Sequence, residues 1–404
     1  MIEILEEQQK KVRCLLVGYP NDNLLELKGL VYTLEMEIAD SFILNKIDIQ
    51  PAYGMGSGKA QEICAHAKAI DADCIIMDFE LDPTKQRNWE KLSKLPVFDR
   101  QETILRIFAK RALTKEAVLQ VELARLEYSL PRLSHMYGEF SRQRGGNYGS
   151  KGSGETQLEL DRRGVRERIA KIKNELSKVV QNREVQRKRR SKSKIKTIAL
   201  CGYTNAGKSS LLNALTSAKT LVENKLFATL DPLTRKLFLT NSNYDFKEVL
   251  LTDTVGFISN LPHSLINAFR STLEEAKHAD LLLIVLDSYD PNIFLHYETI
   301  LEVLKEIGAN ISNSLIVLNK IDSYQTNLEQ TLSKSDTKLT ENYSTDDTHP
   351  EYIHPNSLQT DESATLSKKF LLTRIEKQFP DHVKVSAITG QGLEELKQLI
   401  FEKT

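Results

Sequence analysis

Eight consecutive residues at 202–209, reading G-Y-T-N-A-G-K-S, have the residue types and the spacing of a phosphate-binding loop. Gly202 and Gly207 would let backbone N–H groups turn inward around a phosphate. Lys208 would bridge the β- and γ-phosphates, and the Ser209 hydroxyl would be an oxygen ligand for Mg²⁺. These residues predict a site for a nucleoside triphosphate, whose loop also contains Tyr203, Thr204, Asn205 and Ala206.

The loop lies between a predicted strand at 195–201 and a predicted helix at 209–215. A phosphate loop needs this order, because the helix that follows it adds the positive end of its dipole to the phosphate site. The pattern is therefore typical of a nucleotide site and not of an isolated glycine turn.

A second motif, Asp253-Thr254-Val255-Gly256, follows a predicted strand at 248–252. Asp253 would hold Mg²⁺ through a water molecule, and the Gly256 N–H would meet the γ-phosphate. This arrangement is typical of the second switch of a P-loop GTPase. We therefore expect Lys208 and Gly256 to act on the transferred phosphate.

The first switch is predicted at Phe227-Ala228-Thr229-Leu230-Asp231, which resembles the corresponding segment of P-loop GTPases. A threonine there adds an oxygen ligand to Mg²⁺ and senses the γ-phosphate. Thr229 is the residue that we predict for this role, and we count it with the catalytic residues. The spacing alone also allows Thr220 or Thr234.

The base is selected by Asn319-Lys320-Ile321-Asp322, which ends a predicted strand at 315–318. The Asp322 carboxylate can accept two hydrogen bonds from the guanine N1–H and exocyclic amine, whereas adenine offers no such pair of donors. Ser386-Ala387-Ile388, after a predicted strand at 383–385, matches the loop whose backbone N–H contacts guanine O6. The predicted substrate is therefore GTP.

Position 257 carries a phenylalanine where a Ras-type GTPase has the glutamine that orients the attacking water. A phenyl ring cannot hydrogen-bond to water, so we expect slow intrinsic hydrolysis and leave the water-positioning group unassigned. A bound partner would complete the site, or K⁺ would supply the missing positive charge. Asn205 resembles the asparagine of potassium-dependent GTPases, which makes K⁺ a hypothesis.

The composition bounds the class of protein. The chain has 404 residues, with 55 Lys and Arg balanced by 55 Asp and Glu. This length favours two or three domains, and the neutral balance means that any nucleic-acid surface must be local.

Four cysteines without C-x-x-C spacing predict reduced thiols in a cytosolic protein and no zinc site. The longest strongly apolar run, 281–286, is far short of a membrane span, and we expect no export signal.

Residues 1–112 alternate predicted strands with predicted helices and indicate a small α/β domain. The strands are predicted at 12–17 and 74–77, and the helices at 24–38 and 101–112. Gly54-Met55-Gly56-Ser57-Gly58-Lys59 resembles a phosphate loop without the Lys-Ser pair. We favour a strand-to-helix turn that needs glycine, with a second nucleotide or RNA-phosphate site as the alternative.

Residues 113–194 are predicted to form an antiparallel helical hairpin, from two runs of apolar residues at alternating spacings of four and three. Pro131 is expected to end the first helix, and Ser153 to begin the second. The loop between them, 137–154, is basic and rich in glycine. It fits an RNA contact, with a solubilising connector as the alternative. The predicted contact residues are Arg142, Arg144, Tyr148 and Lys151.

A further basic run at 187–196 fits either a solvated hinge or an RNA contact. Residues 195–404 are predicted to form the nucleotide domain, a mostly parallel, doubly wound α/β sheet. The polar segment 323–366 has too little apolar content to pack, and we expect it to be a disordered insertion. Its His349 and His354 lack the neighbours of a metal-ligand cluster.

Several motifs outside the nucleotide loops make the chain resemble the HflX family of ribosome-associated GTPases over nearly its full length. Phe257 belongs to the pattern of that family. Ser153, where the family usually has proline, and the insertion that begins at Ser323 depart from it. The matching residues are Asp99-Arg100, Ile104-Leu105, Gln120-Val121-Glu122-Leu123-Ala124, Leu130-Pro131-Arg132-Leu133, Gly145-Gly146, Gly154-Glu155-Thr156-Gln157-Leu158-Glu159, Asp161-Arg162-Arg163 and Asp253-Thr254-Val255-Gly256-Phe257-Ile258.

The resemblance implies a cytoplasmic GTPase that is a monomer off the ribosome. In its GTP-bound form it would bind the large ribosomal subunit, extend the hairpin loop toward ribosomal RNA, and split stalled ribosomes under stress. Hydrolysis would be stimulated by the ribosome.

Three alternatives remain open at the level of sequence. The first is an assembly GTPase that acts on immature large subunits. The second is a GTP-gated RNA-binding module with little turnover, which Phe257 keeps open. The third places ATP at 54–59, where substitution of Lys59 would then abolish an ATPase activity that survives loss of Lys208.

Overall fold

The structure is a computed structural model, and it divides the chain into two compact units. The first comprises Met1–Ser193, Glu223–Asp231 and Asn260–Thr272; the second comprises Lys194–Val222, Pro232–Ser259 and Leu273–Thr404. The described residues are 11–19, 24–45, 50–136, 153–192, 195–216, 226–227, 231–241, 244–258, 270–322, 374–375 and 377–404, with side chains except at 134–136, 153–158, 182–192 and 270–272.

The first unit contains a parallel sheet of four strands in the order β2-β1-β3-β4. Apolar side chains from its strands and from the helices beside it form a core around the fully buried Trp89. The strands are β1 (Arg13–Gly18), β2 (Glu37–Ile43), β3 (Cys74–Met77) and β4 (Val97–Phe98). The helices are α1 (Leu25–Thr33), α2 (Ser57–Ala69), α3 (Pro83–Ser93) and α4 (Arg100–Arg111).

The prediction of one helix across 24–38 was wrong at its C-terminal end. Helix α1 stops at Thr33, and Glu35 has a φ of 63°, in the left-handed region that a helix cannot continue through. The chain then enters β2, which the sequence analysis did not identify. Its residues are half-buried or exposed, without the alternation that marks a strand.

The glycine-rich segment at 54–59 turns the chain into α2. Gly54 has a φ of 77°, and Gly56 is the residue that precedes the helix. The Lys59 ammonium lies 2.7 Å from the Glu62 carboxylate, one turn along the same helix. These contacts place the segment at the start of a helix, and the second nucleotide or RNA-phosphate site stays an alternative prediction.

Pro131 was predicted to end the first long helix, and that prediction was wrong. Helix α5 runs from Lys115 to Met136 with Pro131 inside it. The next residue, Arg132, fastens this part of the helix through its side chain. Its guanidinium donates to the Tyr128 carbonyl oxygen at 2.9 Å and to the Leu81 carbonyl oxygen at 2.8 Å.

The same guanidinium approaches Asp99, an almost fully buried carboxylate at the start of α4. Asp99 accepts hydrogen bonds from the Glu102 N–H at 2.7 Å and from the Tyr128 hydroxyl at 3.0 Å. Burial raises the pKa of Asp99, and these donors oppose the rise. The Asp99-Arg100 and Leu130-Pro131-Arg132-Leu133 motifs therefore meet in space and fasten α5 to the sheet domain.

Helix α6 (Ser153–Lys192) packs against α5. Two ion pairs join them, Glu122 with Arg168 at 2.7 Å and Glu127 with Lys173 at 2.8 Å. Along these two pairs the residue numbers rise together in both helices, whereas in an antiparallel pair they would run in opposite directions. The ion pairs therefore do not support the predicted antiparallel order, which stays a prediction.

The second unit is built on six strands in the order β10-β9-β8-β5-β7-β6, with only β6 antiparallel to its neighbour. The predicted mostly parallel α/β fold is confirmed. The strands are β5 (Lys196–Gly202), β6 (Leu233–Thr240), β7 (Phe246–Asp253), β8 (Leu281–Asp287), β9 (Ser314–Asn319) and β10 (His382–Lys384). The helices are α7 (Lys208–Thr216), α8 (Arg270–Lys277), α9 (Ile293–Glu306) and α10 (Leu393–Lys403).

Parallel strands align their carboxyl ends at one edge of a sheet, where ligands of doubly wound folds bind. Strands β5, β7, β9 and β10 end there, and the motifs at 202–209, 253–256, 319–322 and 386–388 follow them. No helix among the described residues is long and apolar enough to cross a membrane.

Candidate functional site

The phosphate loop is centred on Lys208, whose side chain is buried at the start of α7. Its Nζ donates to the carbonyl oxygens of Gly202 at 3.0 Å and Tyr203 at 2.9 Å. Burial lowers the pKa of the Lys208 ammonium, and the Asp253 carboxylate opposes that effect. The ammonium therefore lies inside the loop, on acceptors that a phosphate would replace.

The loop backbone adopts conformations that explain two of its residue types. Asn205 has a φ of 61° and Gly207 a φ of 88°, both in the left-handed region. A Cβ at Gly207 would collide with the side-chain amide of Asn319. That amide donates to the Ala206 carbonyl oxygen at 2.9 Å, so the guanine-motif asparagine also holds the phosphate loop in shape.

The predicted magnesium ligands lie side by side. The Ser209 hydroxyl donates to Asp253 Oδ2 at 2.6 Å, and the Asp253 side chain is buried at the end of β7. A hydroxyl and a carboxylate are oxygen donors of the kind that Mg²⁺ binds. No group of three or more His, Cys, Asp or Glu residues elsewhere in the described ranges could hold a metal ion. The donor set therefore fits an ion that takes its other ligands from phosphate and water.

The segment after Asp253 is joined to the phosphate loop through its backbone. Phe257 N–H donates to the Gly202 carbonyl oxygen at 3.1 Å, and Thr204 N–H donates to the Phe257 carbonyl oxygen at 2.7 Å. The Thr254 hydroxyl donates to the Leu200 carbonyl oxygen at 2.6 Å. A Cβ at Gly256 would lie 3.0 Å from Lys208 Nζ, so only glycine leaves room for this approach.

The phenyl ring of Phe257 is 2% exposed and belongs to the interior of the unit. Two backbone bonds hold the residue in place. From the sequence alone, Phe257 was interpreted as a residue that cannot hydrogen-bond to water. The structure gives it a role in packing.

The two predicted guanine motifs, 319–322 and 386–388, are joined to each other by hydrogen bonds. The Ser386 hydroxyl donates to Asp322 Oδ1 at 2.6 Å, and the Ala387 N–H donates to Asn319 Oδ1 at 3.1 Å. Lys320 has a φ of 67°, and its ammonium lies 2.8 Å from the Asp287 carboxylate. Ile321 N–H donates to the Val385 carbonyl oxygen at 3.4 Å.

Ile388, the last residue of the predicted guanine motifs, is 81% exposed. The contacts above therefore bring 319–322 and 386–387 together, while the Ile388 side chain faces solvent.

The two ends of the predicted first switch belong to the first unit. Phe227 is buried and lies edge-on to Phe108, with ring centroids 4.6 Å apart. Asp231 accepts hydrogen bonds from the backbone N–H and the hydroxyl of Thr114, and the Thr114 hydroxyl in turn accepts from the Ala117 N–H in the first turn of α5.

Several predicted site residues lie outside the described residues. They are Ala228, Thr229 and Leu230 in the first switch, Arg142, Arg144, Tyr148 and Lys151 in the basic loop, and the polar segment 323–366. Their predicted roles stay predictions.

One residue at the site, His296, was not found from the sequence. The imidazole of His296 stacks on the Tyr203 ring of the phosphate loop, and Asp290 lies beside it. The two rings are far apart along the chain, and a single histidine near a helix start carries no pattern that would connect it with a phosphate loop.

Three protein-family models match consecutive parts of the chain. They are described as GTP-binding GTPase N-terminal at residues 21–109, GTP-binding GTPase Middle Region at 111–190, and 50S ribosome-binding GTPase at 197–320. The last match covers the phosphate loop, the second switch and the start of the guanine motif.

Proteins named GTPase HflX are similar to this chain over most of its length. The one from Akkermansia muciniphila is 46% identical over 338 residues, which cover 80% of this chain and 76% of that protein. The one from Caldanaerobacter subterraneus subsp. tengcongensis is 45% identical over 324 residues, 80% of this chain and 74% of that protein. A crystal structure of a GTP-binding protein from Sulfolobus solfataricus in complex with GDP is 23% identical, with 97% and 98% of the two chains covered and a TM-score of 0.45.

Proposed function

The chain belongs to the HflX family of GTPases and hydrolyses GTP, and from this premise we propose that it binds the large ribosomal subunit and splits stalled ribosomes under stress. The description of the family model at 197–320, a 50S ribosome-binding GTPase, supports the partner. We place the protein in the cytoplasm as a monomer, with part of the pool on ribosomes.

Nucleotide binding begins with an exchange of acceptors at Lys208. The ammonium leaves the carbonyl oxygens of Gly202 and Tyr203 for the β- and γ-phosphates, where it stabilises the charge of the transition state. Ser209 and Thr229 are the proposed ligands of Mg²⁺, with Asp253 supporting the ion through water. When bound, Mg²⁺ would neutralise charge on the phosphates. The Gly256 N–H is proposed to donate to the γ-phosphate.

Guanine is proposed to bind between Asn319, Asp322 and the Ser386-Ala387 loop. The Ser386 hydroxyl orients the Asp322 carboxylate by donating to its Oδ1, and this carboxylate is proposed to accept hydrogen bonds from the guanine N1–H and exocyclic amine. Adenine offers no such pair of donors to this carboxylate, and the hydrogen bonds left unmade disfavour ATP.

The observation that carries the proposal of ribosome-stimulated hydrolysis is the position of Phe257. The ring is packed in the interior and held by two backbone bonds, so the second switch offers no side chain at this position to orient water. A partner that supplies or positions such a group would accelerate the reaction. We propose that this partner is the ribosome, with Arg142, Arg144, Tyr148 and Lys151 contacting ribosomal RNA.

Sucrose-gradient sedimentation of stalled ribosomes with the full-length protein tests the proposal. Three arms contain GTP, a non-hydrolysable analogue or GDP, and Lys208→Ala is the control that removes nucleotide binding. We expect free subunits with GTP and with the analogue, and intact ribosomes with GDP or Lys208→Ala. Intact ribosomes in every arm would contradict the proposed splitting.

A GTP-gated RNA-binding module is the second candidate, and the buried Phe257 favours it. Steady-state GTPase assays with and without large subunits separate the two. The enzyme acting on ribosomes predicts a rise in kcat of about tenfold or more. An unchanged rate together with GTP-dependent binding would favour the module. An assembly GTPase would instead show preferential binding to precursor particles.

We propose that K⁺ assists the reaction at Asn205, whose side chain is exposed at the phosphate loop. A monovalent cation there would add positive charge near the phosphates. The GTPase rate should be higher in potassium than in sodium buffer, and Asn205→Asp should change that ratio. Equal kcat values in the two buffers would remove K⁺ from the mechanism.

A further inference from the structure

One residue of the phosphate loop, Tyr203, stacks on the ring of His296. The Tyr203 and His296 rings lie face to face, with centroids 3.6 Å apart and an angle of 10° between their planes. Tyr203 is 7% exposed, and the His296 side chain is 15% exposed, in the first turn of α9. Such close, parallel contact fixes the plane of both rings.

The histidine is itself held by Asp290. Its Nδ1 lies 3.0 Å from Asp290 Oδ2, while Asp290 Oδ1 accepts from the Asn292 N–H at 2.8 Å. Burial alone would raise the pKa of Asp290, but the hydrogen bonds from His296 and Asn292 outweigh it and lower the pKa. The carboxylate therefore remains an acceptor that orients the imidazole.

The backbone of Tyr203 connects this stack to the phosphate site. Its carbonyl oxygen accepts from Lys208 Nζ at 2.9 Å, and the residue pairs with Phe257 in an isolated parallel bridge. A displacement of the Tyr203 ring would move both the acceptor of Lys208 and the backbone link to the second switch. Three residues before Asp290, the Asp287 carboxylate lies 2.8 Å from the Lys320 ammonium. The segment that orients His296 therefore also contacts the guanine motif.

We propose that His296 is a positioning residue for the phosphate loop: its ring, oriented by Asp290, holds Tyr203 and thereby keeps the loop in the shape that receives the phosphates of GTP and GDP. The ring and not the charge carries the effect. The stack acts on the ground state of the loop, so it sets the affinity for both nucleotides more than the rate of the chemical step. This inference rests on the proposed nucleotide site at 202–209.

Substitutions at His296 separate the ring from the hydrogen bond. His296→Ala removes both, His296→Gln keeps a donor toward Asp290, and His296→Phe keeps the ring. Equilibrium titration with fluorescent GDP and a GTP analogue gives Kd, and saturating GTP gives kcat. We expect His296→Ala and His296→Gln to raise Kd for both nucleotides about threefold to tenfold with kcat within about twofold, and His296→Phe, which keeps the ring without the bond to Asp290, to bind more tightly than His296→Ala.

Two controls make the result interpretable. Glu298→Ala, at an exposed position in the same helix, should leave Kd unchanged, and thermal unfolding reports whether each variant is folded. Lys208→Ala should abolish binding. If Lys208→Ala still bound nucleotide, the proposed site itself would be wrong. If Lys208→Ala lost binding while folded His296→Ala bound like wild type, or while His296→Phe was as weak as His296→Ala, the positioning role would be overturned.

Discussion

Asp322 is oriented before a base arrives, because the Ser386 hydroxyl donates to one of its oxygens at 2.6 Å. Serine and aspartate are 64 positions apart, and only the alignment of β9 and β10 brings them together. The sequence predicted both residues from their motifs. It did not predict the bond between them, since that bond depends on strand order.

Asp322→Asn should exchange the base preference. An amide at this position presents a donor to the guanine N1–H and amine, so GTP affinity should fall by about a hundredfold or more. Xanthosine triphosphate, which carries a carbonyl oxygen at C2, should bind the variant better than GTP does. Competition titrations with both nucleotides check this, and an unchanged preference for GTP would place guanine recognition elsewhere.

Phe257 is a second residue whose meaning depends on packing. Phe257→Ala should lower the free energy of unfolding by about 3 kcal/mol, because the ring is fully buried in a packed interior. Phe257→Gln should also destabilise the fold, since it buries an amide, and it should leave intrinsic kcat unchanged.

Denaturant unfolding and single-turnover hydrolysis measure the two effects. Phe238→Ala is the matched control, because Phe238 is 54% exposed and its removal should cost far less stability. A gain of tenfold in kcat for Phe257→Gln would show that the side chain reaches the water after all.

At the scale of elements, the strands around the site were predicted well because buried parallel strands are short, continuous apolar runs. Strand β8, Leu281–Asp287, is one example. Strand β6, Leu233–Thr240, was not identified, since it is an edge strand that mixes basic, polar and apolar residues. Pro131 led to the opposite error: it predicted a helix end, but the helix continues to Met136, where the bonds of Arg132 to Leu81 and Asp99 hold it against the sheet domain.

Asp280 links the starts of β5 and β8. Its carboxylate accepts from the Thr197 N–H at 2.8 Å and from the Lys196 ammonium at 2.9 Å. Burial would raise the pKa of Asp280, but the hydrogen bonds from Thr197 and Lys196 lower it below its ordinary value of 3.8. The folded state therefore favours the ionised form, and its stabilising effect is present above pH 3.8 and lost as the pH falls further.

Asp280→Asn should lower the free energy of unfolding by about 1 kcal/mol at neutral pH, a modest value because the side chain is partly screened by solvent. The difference from wild type should shrink as the pH falls below about 4, where the wild-type carboxyl becomes protonated. Urea unfolding at several pH values measures this. A difference that stays constant into strong acid would mean that the charge of Asp280 does not contribute.

At the scale of the molecule, the two units have separate hydrophobic cores, one around Trp89 and one around the central strands of the six-stranded sheet. A chain of this kind need not unfold in a single step. The sequence indicated this division from its change of pattern near 195, and the structure further assigns Glu223–Asp231 to the first unit, which sequence proximity alone would have placed with the nucleotide loops.

Calorimetry of the full chain should resolve two transitions, of which GDP, which lacks the γ-phosphate that Thr229 would sense, shifts only one. Nucleotide at about a hundred times its Kd should stabilise the second unit by about 2.7 kcal/mol, because it binds the folded form alone. Lys208→Ala should abolish this shift while leaving the other transition in place. An equal shift of both transitions would contradict this, because it would show that nucleotide stabilises both units.

The two internal hydrogen bonds of Lys208 bear on how nucleotide leaves the loop. A departing phosphate would leave the ammonium its two carbonyl acceptors, at 3.0 Å and 2.9 Å, and not a bare charge in a buried cavity. Exchange of GDP for GTP would then pass through a nucleotide-free form in which the Lys208 ammonium keeps hydrogen-bond acceptors. Which nucleotide then binds would be governed by the concentrations of GTP and GDP around the protein.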